Sequence, residues 1–162
     1  MDGFAEFKLV RGGTVRAFPG ARLSMRSGGE KVILDVGKVW CDVEGGKGVF
    51  LVRTPQSEAK VVGTSFVVEH TENGASEVRV MEGTVNVTAT KGRGRVQVKS
   101  GHKTRVVEGA PPSKPTHYST KQDRLDWDPF LKRLWKDIKD ATKDLKKDFK
   151  KLLAPQPVKK NE

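Results

Sequence analysis

The residues of this sequence best suited to catalysis are three histidines and a single cysteine. His70, His102 and His117 are far apart in the sequence and lack a metal-ligand spacing such as i, i+4. His70 has Glu69 and Glu72 close by, a grouping that could perform acid–base chemistry. The same grouping of polar residues is typical of a hairpin end. We therefore expect His70 to lie at a solvated hairpin end and not at a catalytic site.

The single cysteine shows no sign of a catalytic role. Cys41 alternates with Val39 and Val43, a pattern that predicts a small buried side chain in a strand. A nucleophilic thiol would also need a histidine brought close by the fold. The glycine pair at residues 92 and 94 does not follow the phosphate-loop pattern. The sequence therefore predicts no enzyme, no cofactor and no metal site.

A cationic cluster between residues 91 and 105 contains no acidic residue. Its candidate polyanion-binding residues are Arg93, Arg95, Lys99, Lys103 and Arg105. Strand alternation would place some of them in one row, where a polyanion could bind through charge alone. A solvated outer face is the alternative. The segment has no aromatic side chain on which bases could stack, so specific nucleic-acid binding is not favoured.

Composition bounds the architecture that must position these residues. The 162 residues are 35% apolar and 31% charged, enough for one domain with a modest core and an appendage. The sequence has no run of 18 uncharged apolar residues, so it predicts no membrane span. It has no apolar segment after Met1, so it predicts no signal peptide. The net charge of +11 is shared by the parts before and after residue 120, and it attracts polyanions of any kind.

The first 110 residues have the period-two alternation of strands with one buried face. Small apolar residues recur at every second position in several short runs: Val32, Leu34 and Val36; Val39, Cys41 and Val43; Val78 and Val80; Val85 and Val87; Val96 and Val98. Glycines separate the runs, and from Val78 onwards the strands recur about every 8–12 residues. This pattern predicts an all-β sandwich, barrel or solenoid.

The sequence changes character after residue 110. We predict a β domain over residues 1–110, a proline-rich linker over 111–122, an amphipathic helix over 123–154 and a flexible tail over 155–162. The linker prediction rests on the breaker-rich run from Ala110 to Pro115. The helix prediction rests on apolar residues at steps of three or four, with lysines and aspartates on the other face.

The apolar stripe of the predicted helix is a candidate contact face. It comprises Trp127, Phe130, Leu131, Leu134, Trp135, Ile138, Leu145 and Phe149. Three uses remain open: covering the β domain, self-association through the seven-residue spacing of its leucines and isoleucine, and binding an anionic membrane surface. The interleaved aspartates weaken the membrane use.

Five motifs in the β region resemble those of the FecR domain, the extracytoplasmic domain of FecR-type sigma-factor regulators. Residues 50–55 resemble the family's strand ending in Thr-Pro, and residues 61–68 its Gly-Thr-x-Phe-x-Val motif. Residues 78–87 resemble its Val-x-Val-x-x-Gly-x-Val-x-Val motif. Residues 100–103 fall where members often have Ala-Gly-Gln, and residues 12–23 resemble the strand and turn that open many members. The resemblance covers about residues 5–109.

The resemblance implies a β-rich, solenoid-like or sandwich-like domain of short antiparallel and stacked strands, followed here by the predicted helix. The family-motif residues are expected to be structural; they are Thr54, Pro55, Gly63, Thr64, Phe66, Gly83 and Gly101. Because proline stops a strand and glycine permits turns, their chemistry suits this role.

The resemblance also implies a function by contact. In FecR-type regulators the domain is periplasmic and contacts the signalling domain of an outer-membrane transporter. We therefore expect a non-enzymatic, extracytoplasmic protein-binding, scaffold or signalling module of the bacterial envelope. Its expected partner is an envelope protein, with self-association through the helix or binding of anionic lipid or glycan as further options. A peripheral membrane or polyanion-binding protein acting through the Lys-rich helix is the alternative.

Overall fold

The computed structural model describes residues 4–26, 28–127, 139–140 and 142–143, and it divides the chain into two units, Met1–Asp123 and Arg124–Glu162. The described residues form twelve strands and one short helix. They are β1 (Ala5–Lys8), β2 (Gly13–Ala17), β3 (Arg22–Met25), β4 (Lys31–Val43), β5 (Phe50–Arg53), β6 (Ser57–Val61), β7 (Thr64–His70), β8 (Ala75–Glu82), β9 (Thr84–Ala89), β10 (Arg95–Lys99), β11 (His102–Val107), β12 (Thr116–His117) and α1 (Lys121–Trp127).

The strands form one curled sheet whose two halves share β4. Half-sheet A contains β1, β2, the second part of β4, β7, β8, β11 and β12. Half-sheet B contains β3, the first part of β4, β5, β6, β9 and β10. All pairs are antiparallel except β4 with β5. The sheet is therefore mixed and resembles half of a barrel.

Strand β4 changes from one half-sheet to the other at Gly37. This residue has φ +100°, a conformation that side chains with a Cβ rarely adopt. A Cβ built on Gly37 would also lie 2.6 Å from the Cα of Ala21. Only glycine therefore fits where the thirteen-residue strand passes between the two halves.

A single hydrophobic core fills the space between the half-sheets. The inward side chains alternate along each strand with exposed ones, as the period-two pattern predicts. Phe66, in β7, is the largest side chain among the fully buried ones, and Leu34 contributes from β4. The core also includes Val85, Val87 and Val98 from half-sheet B, opposite Val68, Val78, Val80 and Val106 from half-sheet A.

These observations confirm an all-β domain and refine its architecture. The strands curl round one core as a mixed half-barrel, whereas the sequence left a solenoid-like and a sandwich-like arrangement open. The structure shows a short helix, Lys121–Trp127, together with helical residues at 139–140 and 142–143. The rest of the predicted helix over 123–154, and the tail over 155–162, lie outside the described residues. No helix within the described ranges is long and apolar enough to cross a bilayer.

The segment that the sequence predicts as a linker lies against β11. Ser113 donates its backbone N–H to the carbonyl of Arg105, and the Thr104 hydroxyl donates to the Ser113 carbonyl at 2.7 Å. Strand β12 then pairs with the beginning of β11. On the other side, a Cβ on Gly94 would lie 3.0 Å from the Cβ of Pro111. The segment thus occupies space between β11 and the turn that precedes β10.

The core predicts the effect of one substitution. Phe66→Ala removes a fully buried ring, and we expect the free energy of unfolding to fall by about 3–5 kcal/mol. Val62, four residues before Phe66, is 56% exposed, so Val62→Ala should change the free energy of unfolding by less than about 0.5 kcal/mol. Urea denaturation of both variants tests this, and equal losses in the two would contradict the assignment of the core.

Candidate interaction surfaces

Thr54 is held in a buried network of hydroxyl groups. Its Oγ1 lies 2.6 Å from the Oγ of Ser76 and 3.0 Å from the Oγ of Ser57, and it accepts the backbone N–H of Ser57 at 2.9 Å. Pro55 follows in the turn between β5 and β6, where its carbonyl accepts the Thr90 hydroxyl at 2.6 Å. The Thr-Pro motif therefore ties the β5–β6 turn to β8 and to the end of β9.

Gly63, Thr64 and Gly83 meet where backbones approach closely. A Cβ on Gly63 would lie 2.5 Å from the Cα of Gly45, which leaves no room for a side chain. Thr64 donates its hydroxyl to the carbonyl of Thr84 at 3.1 Å. Gly83 has φ +85°, and it passes the chain from half-sheet A to half-sheet B.

The last two residues of the motif set also have structural positions. The ring of Phe66 is in the core. Gly101, with φ +75°, turns the chain from β10 to β11, and its N–H donates to the carbonyl of Val80. The carbonyl of Gly101 in turn accepts the N–H of Tyr118.

His70 is buried, which corrects the expectation of a solvated hairpin end. Only 6% of the residue is exposed, and Nδ1 lies 2.9 Å from the Oγ of Ser76. It therefore joins the hydroxyl network of Thr54 and Ser57. Burial lowers the pKa of His70, against smaller opposing effects from the Ala75 backbone and Asp35, so the neutral form is favoured. Glu69 lies on the opposite face of β7, where it binds Arg79, and not with His70.

Cys41 and His70 do not come together. Cys41 pairs with Phe66 across β4 and β7, whereas His70 pairs with Gly37 at the other end of the same ladder. The thiol is fully buried, and this burial, with a smaller effect from Asp42, raises its pKa. Cys41 is therefore a protonated core residue, as the alternation predicts. Within the described residues, no three potential ligands are grouped to hold a metal ion.

Two histidines that are distant in sequence do meet. His102 and His117 are partners across β11 and β12, and their ring centroids are 4.0 Å apart. Their contact helps to hold β12 against the sheet.

The cationic cluster is divided between two surfaces. Arg95 and Lys99 lie on the outer face of β10, in half-sheet B, and both are exposed. Lys103 and Arg105 lie on the outer face of β11, in half-sheet A. Lys103 binds Glu77 at 3.2 Å, which neutralises part of this second group. Arg93 is exposed in the turn before β10. The five residues therefore do not form one row.

The outer face of half-sheet A has a buried polar network that the sequence does not reveal. The guanidinium of Arg79 donates to both carboxylate oxygens of Asp123, at 2.8 and 3.2 Å. It also donates to Glu69 and Glu77, each at 2.9 Å. Burial by itself lowers the pKa of Arg79, but these acidic partners outweigh it and raise the pKa, so the group stays charged.

Apolar residues beside this network are also covered. Trp40, Val67 and Met81 point outward from half-sheet A but are nearly fully buried. The indole of Trp40 donates to the Ser65 hydroxyl at 3.0 Å, and the Tyr118 hydroxyl lies 2.8 Å from the sulfur of Met81. The alternation that places Trp40 opposite Cys41 was the only sequence signal for this second buried layer. Nothing in the spacing of Arg79 and Asp123, 44 positions apart, indicates their contact.

An open groove lies beside the family-motif glycines. It has a volume of about 550 Å³, and its lining includes Gly63 and Gly83. Lys60, Asn86 and Gln97 line it from three neighbouring strands, β6, β9 and β10. The groove is therefore built on half-sheet B, on the side that carries Arg95 and Lys99.

The candidate helix face is only partly visible. Trp127 ends α1 and is half-buried. The other residues of this face lie outside the described part of the chain; they are Phe130, Leu131, Leu134, Trp135, Ile138, Leu145 and Phe149.

Comparison with known families identifies the chain. The sequence profile of the family described as FecR protein matches residues 3–86, just over half of the 162 residues. The chain therefore belongs to the FecR protein family, as its motifs predict. The match contains six of the seven motif residues and ends before Gly101. No curated protein sequence matches the chain.

Solved structures confirm the fold. Two crystal structures of a candidate anti-sigma factor from Parabacteroides distasonis, at 1.65 and 2.50 Å resolution, are similar, with TM-scores of 0.65 and 0.63. The sequences are 20% and 19% identical to this chain, and each alignment covers 76% of it. The chain spans only 60% of the length of that protein, so the likeness extends to the fold alone.

The Arg79 network predicts a large effect from one carboxylate. Asp123→Ala leaves a buried guanidinium with two of its three acidic partners, and we expect a loss of about 2–3 kcal/mol in the free energy of unfolding. The control is Glu108→Ala, which breaks the fully exposed pair with Lys91 and should cause no measurable change. Chemical denaturation compares the two variants. An unchanged free energy of unfolding in Asp123→Ala would show that the Arg79 network does not stabilise the chain around Asp123.

The buried histidine predicts a dependence of stability on pH. Because the pKa of His70 is lower in the folded chain, the unfolded chain binds this proton more readily, and stability rises with pH in the window between the two values. The wild type should therefore lose stability as the pH falls below about 6.5, by at most about 1.4 kcal/mol per pH unit from this group. His70→Asn can still bond Ser76 but does not titrate.

The measurement is urea denaturation of wild type and His70→Asn at several pH values between 5 and 8. The amount by which the free energy of unfolding of the wild type exceeds that of His70→Asn should shrink or reverse towards pH 5. Asn73→Gln, which changes an exposed residue of the same hairpin and no titratable group, is the control and should run parallel to the wild type. Parallel curves for wild type and His70→Asn would contradict the predicted role of burial.

Proposed function

We propose that this chain is a non-enzymatic, extracytoplasmic protein-binding module of envelope signalling. The observation that carries the proposal is its membership of the FecR protein family over residues 3–86. In this family the domain works by contact with a protein partner. The similarity in fold to a candidate anti-sigma factor supports a signalling role for the same architecture.

The chemistry of the described residues supports a contact function. Residues that could serve catalysis are used to stabilise the fold: Cys41 is in the core, and His70 binds Ser76 inside it. The motif residue Gly63 permits a close approach of two backbones, and Gly83 permits a turn with positive φ. What the domain offers to other molecules is therefore its outer faces and its open groove.

The expected location follows from the family as well. FecR domains act outside the cytoplasm, and we propose the same compartment for this chain. The partner is then a protein of the envelope. We propose no direct role for residues 1–123 in binding a sigma factor, because that contact belongs to cytoplasmic segments in FecR-type regulators.

Site-specific photocrosslinking in the native host tests the proposal. A photoreactive amino acid at exposed Gln97 or Arg105 should yield adducts with a small set of envelope proteins. The chain without the photoreactive residue, irradiated in the same way, is the control and should yield none. Protease treatment of spheroplasts should degrade the chain while cytoplasmic markers survive.

Two results would contradict the proposal. The first is adducts with cytoplasmic proteins only, together with protection from the external protease. The second is flotation of the purified chain with anionic liposomes and no protein adduct, which would favour the alternative of a peripheral membrane protein acting through its Lys-rich helix.

A further inference from the structure

The open groove on half-sheet B combines three kinds of chemistry in one place. Part of its lining is apolar and exposed, because Val49 and Val62 are 55% and 56% exposed. Two exposed valines that line one groove offer an apolar surface to the aliphatic side chains of a partner. The groove is open to solvent, with a volume of about 550 Å³.

Two side-chain amides also line the groove. Asn86 and Gln97 are direct cross-strand partners of β9 and β10, and both point outward and are exposed. Neither side chain is hydrogen-bonded to any residue that the structure describes. An amide has donors and an acceptor, so the pair can bind the N–H and C=O groups of an extended peptide backbone.

The face around the groove is cationic and largely unpaired. Six basic residues point outward from the strands of half-sheet B: Arg22, Lys31, Arg53, Lys60, Arg95 and Lys99. Two acidic residues, Asp35 and Glu58, share this face. Lys60 binds Glu58 at 3.1 Å, whereas Lys99 has no ion pair with any acid in the described residues.

Half-sheet A makes a contrast. Most cations of its outer face bind carboxylates of the same face: Arg79 binds three, Lys103 binds Glu77 and Arg16 binds Glu6. Arg105 is the exposed cation of this face that has no ion pair among the described residues. Most of the positive charge that remains available to a partner therefore lies on half-sheet B. Complementary charge of this kind steers and orients a binding partner more than it adds raw affinity.

We propose that this groove binds an extended segment of the partner protein in which acidic side chains alternate with aliphatic ones. The aliphatic side chains contact Val49 and Val62, the acidic ones face Lys60 and Lys99, and the backbone bonds the two amides. The inference rests on the proposed function and names the chemistry of its partner. Aromatic side chains, which sugars and unpaired bases use for stacking, are not part of the described groove lining.

Binding of labelled decapeptides to the whole chain tests the proposal by fluorescence anisotropy. The probe alternates glutamate and valine, and a second probe replaces glutamate by glutamine. We expect the glutamate peptide to bind at least about ten times more tightly, with an affinity that falls as salt rises. Equal binding of the two peptides would overturn the role of charge.

Charge-reversed variants locate the site. The double variant K60E/K99E should weaken binding of the glutamate peptide by about ten-fold or more. The matched control R105E/K114E makes the same change in net charge on exposed residues elsewhere and should weaken it by less than about two-fold. Thermal melting establishes that both variants fold. Equal weakening in the two variants would show that net charge alone governs binding and would overturn the proposal.

Competitors and the crosslinking experiment separate the remaining outcomes. If polygalacturonate or phosphatidylglycerol vesicles displace the peptide at equal charge concentration, the site is a general polyanion site and the proposal fails. If K60E/K99E forms the same envelope adducts as the wild type, the groove proposal fails while the proposed function stands. If the wild type forms no envelope adduct, the proposed function itself fails.

Discussion

The whole fold depends on one strand that serves both halves of the sheet. Strand β4 pairs with β3 and β5 along its first part and with β2 and β7 along its second. The change of direction requires the positive φ of Gly37 and its close approach to Ala21. Without this bend the two inner faces could not turn towards each other, and the valines on them would have no common core.

The same bend decides which residues can act on other molecules. Curling one sheet places the inward side chains of both halves in a dry interior, and it leaves two outer faces. One of these, on half-sheet A, is partly covered by residues 112–123 and uses its charges to hold that cover through Arg79 and Asp123. The other, on half-sheet B, keeps its cations exposed. Two surfaces with different chemistry therefore follow from one topology.

Local pattern was sufficient to predict several of the strands and the core residues on them. Val32 and Leu34, like Val85 and Val87, are two positions apart, and this spacing reports directly on side-chain direction, because successive residues in a strand point to opposite faces. Family motifs then marked Gly63 for a turn or a close backbone approach, and Gly83 for the passage from one strand to the next. What local pattern lacks is the order of strands: the parallel pairing of β4 with β5 depends on contacts between residues about twenty positions apart.

The candidate site was harder to predict, for the same reason. Lys99 and Lys103 are close in sequence, yet the turn at Gly101 sends them to different half-sheets. Conversely, Lys60 and Asn86 are partners across β6 and β9 although 26 positions separate them. His70 was misplaced because its neighbours Glu69 and Glu72 suggested a solvated turn, whereas the hydroxyl that binds it belongs to Ser76, which is bonded in turn to Thr54. Charge runs in a β protein thus say little about charged surfaces until the register is known.

The inaccessibility of Cys41 makes the molecule convenient for spectroscopy. It is the only cysteine in the chain, and its side chain is sealed among core residues. A cysteine introduced on either outer face would therefore be the sole thiol that a maleimide reagent reaches in the native protein. Two cysteines introduced in this way, one on each outer face, would carry a pair of spin labels or fluorophores that reports a distance across the domain, with no need to remove the natural residue and disturb the packing around it.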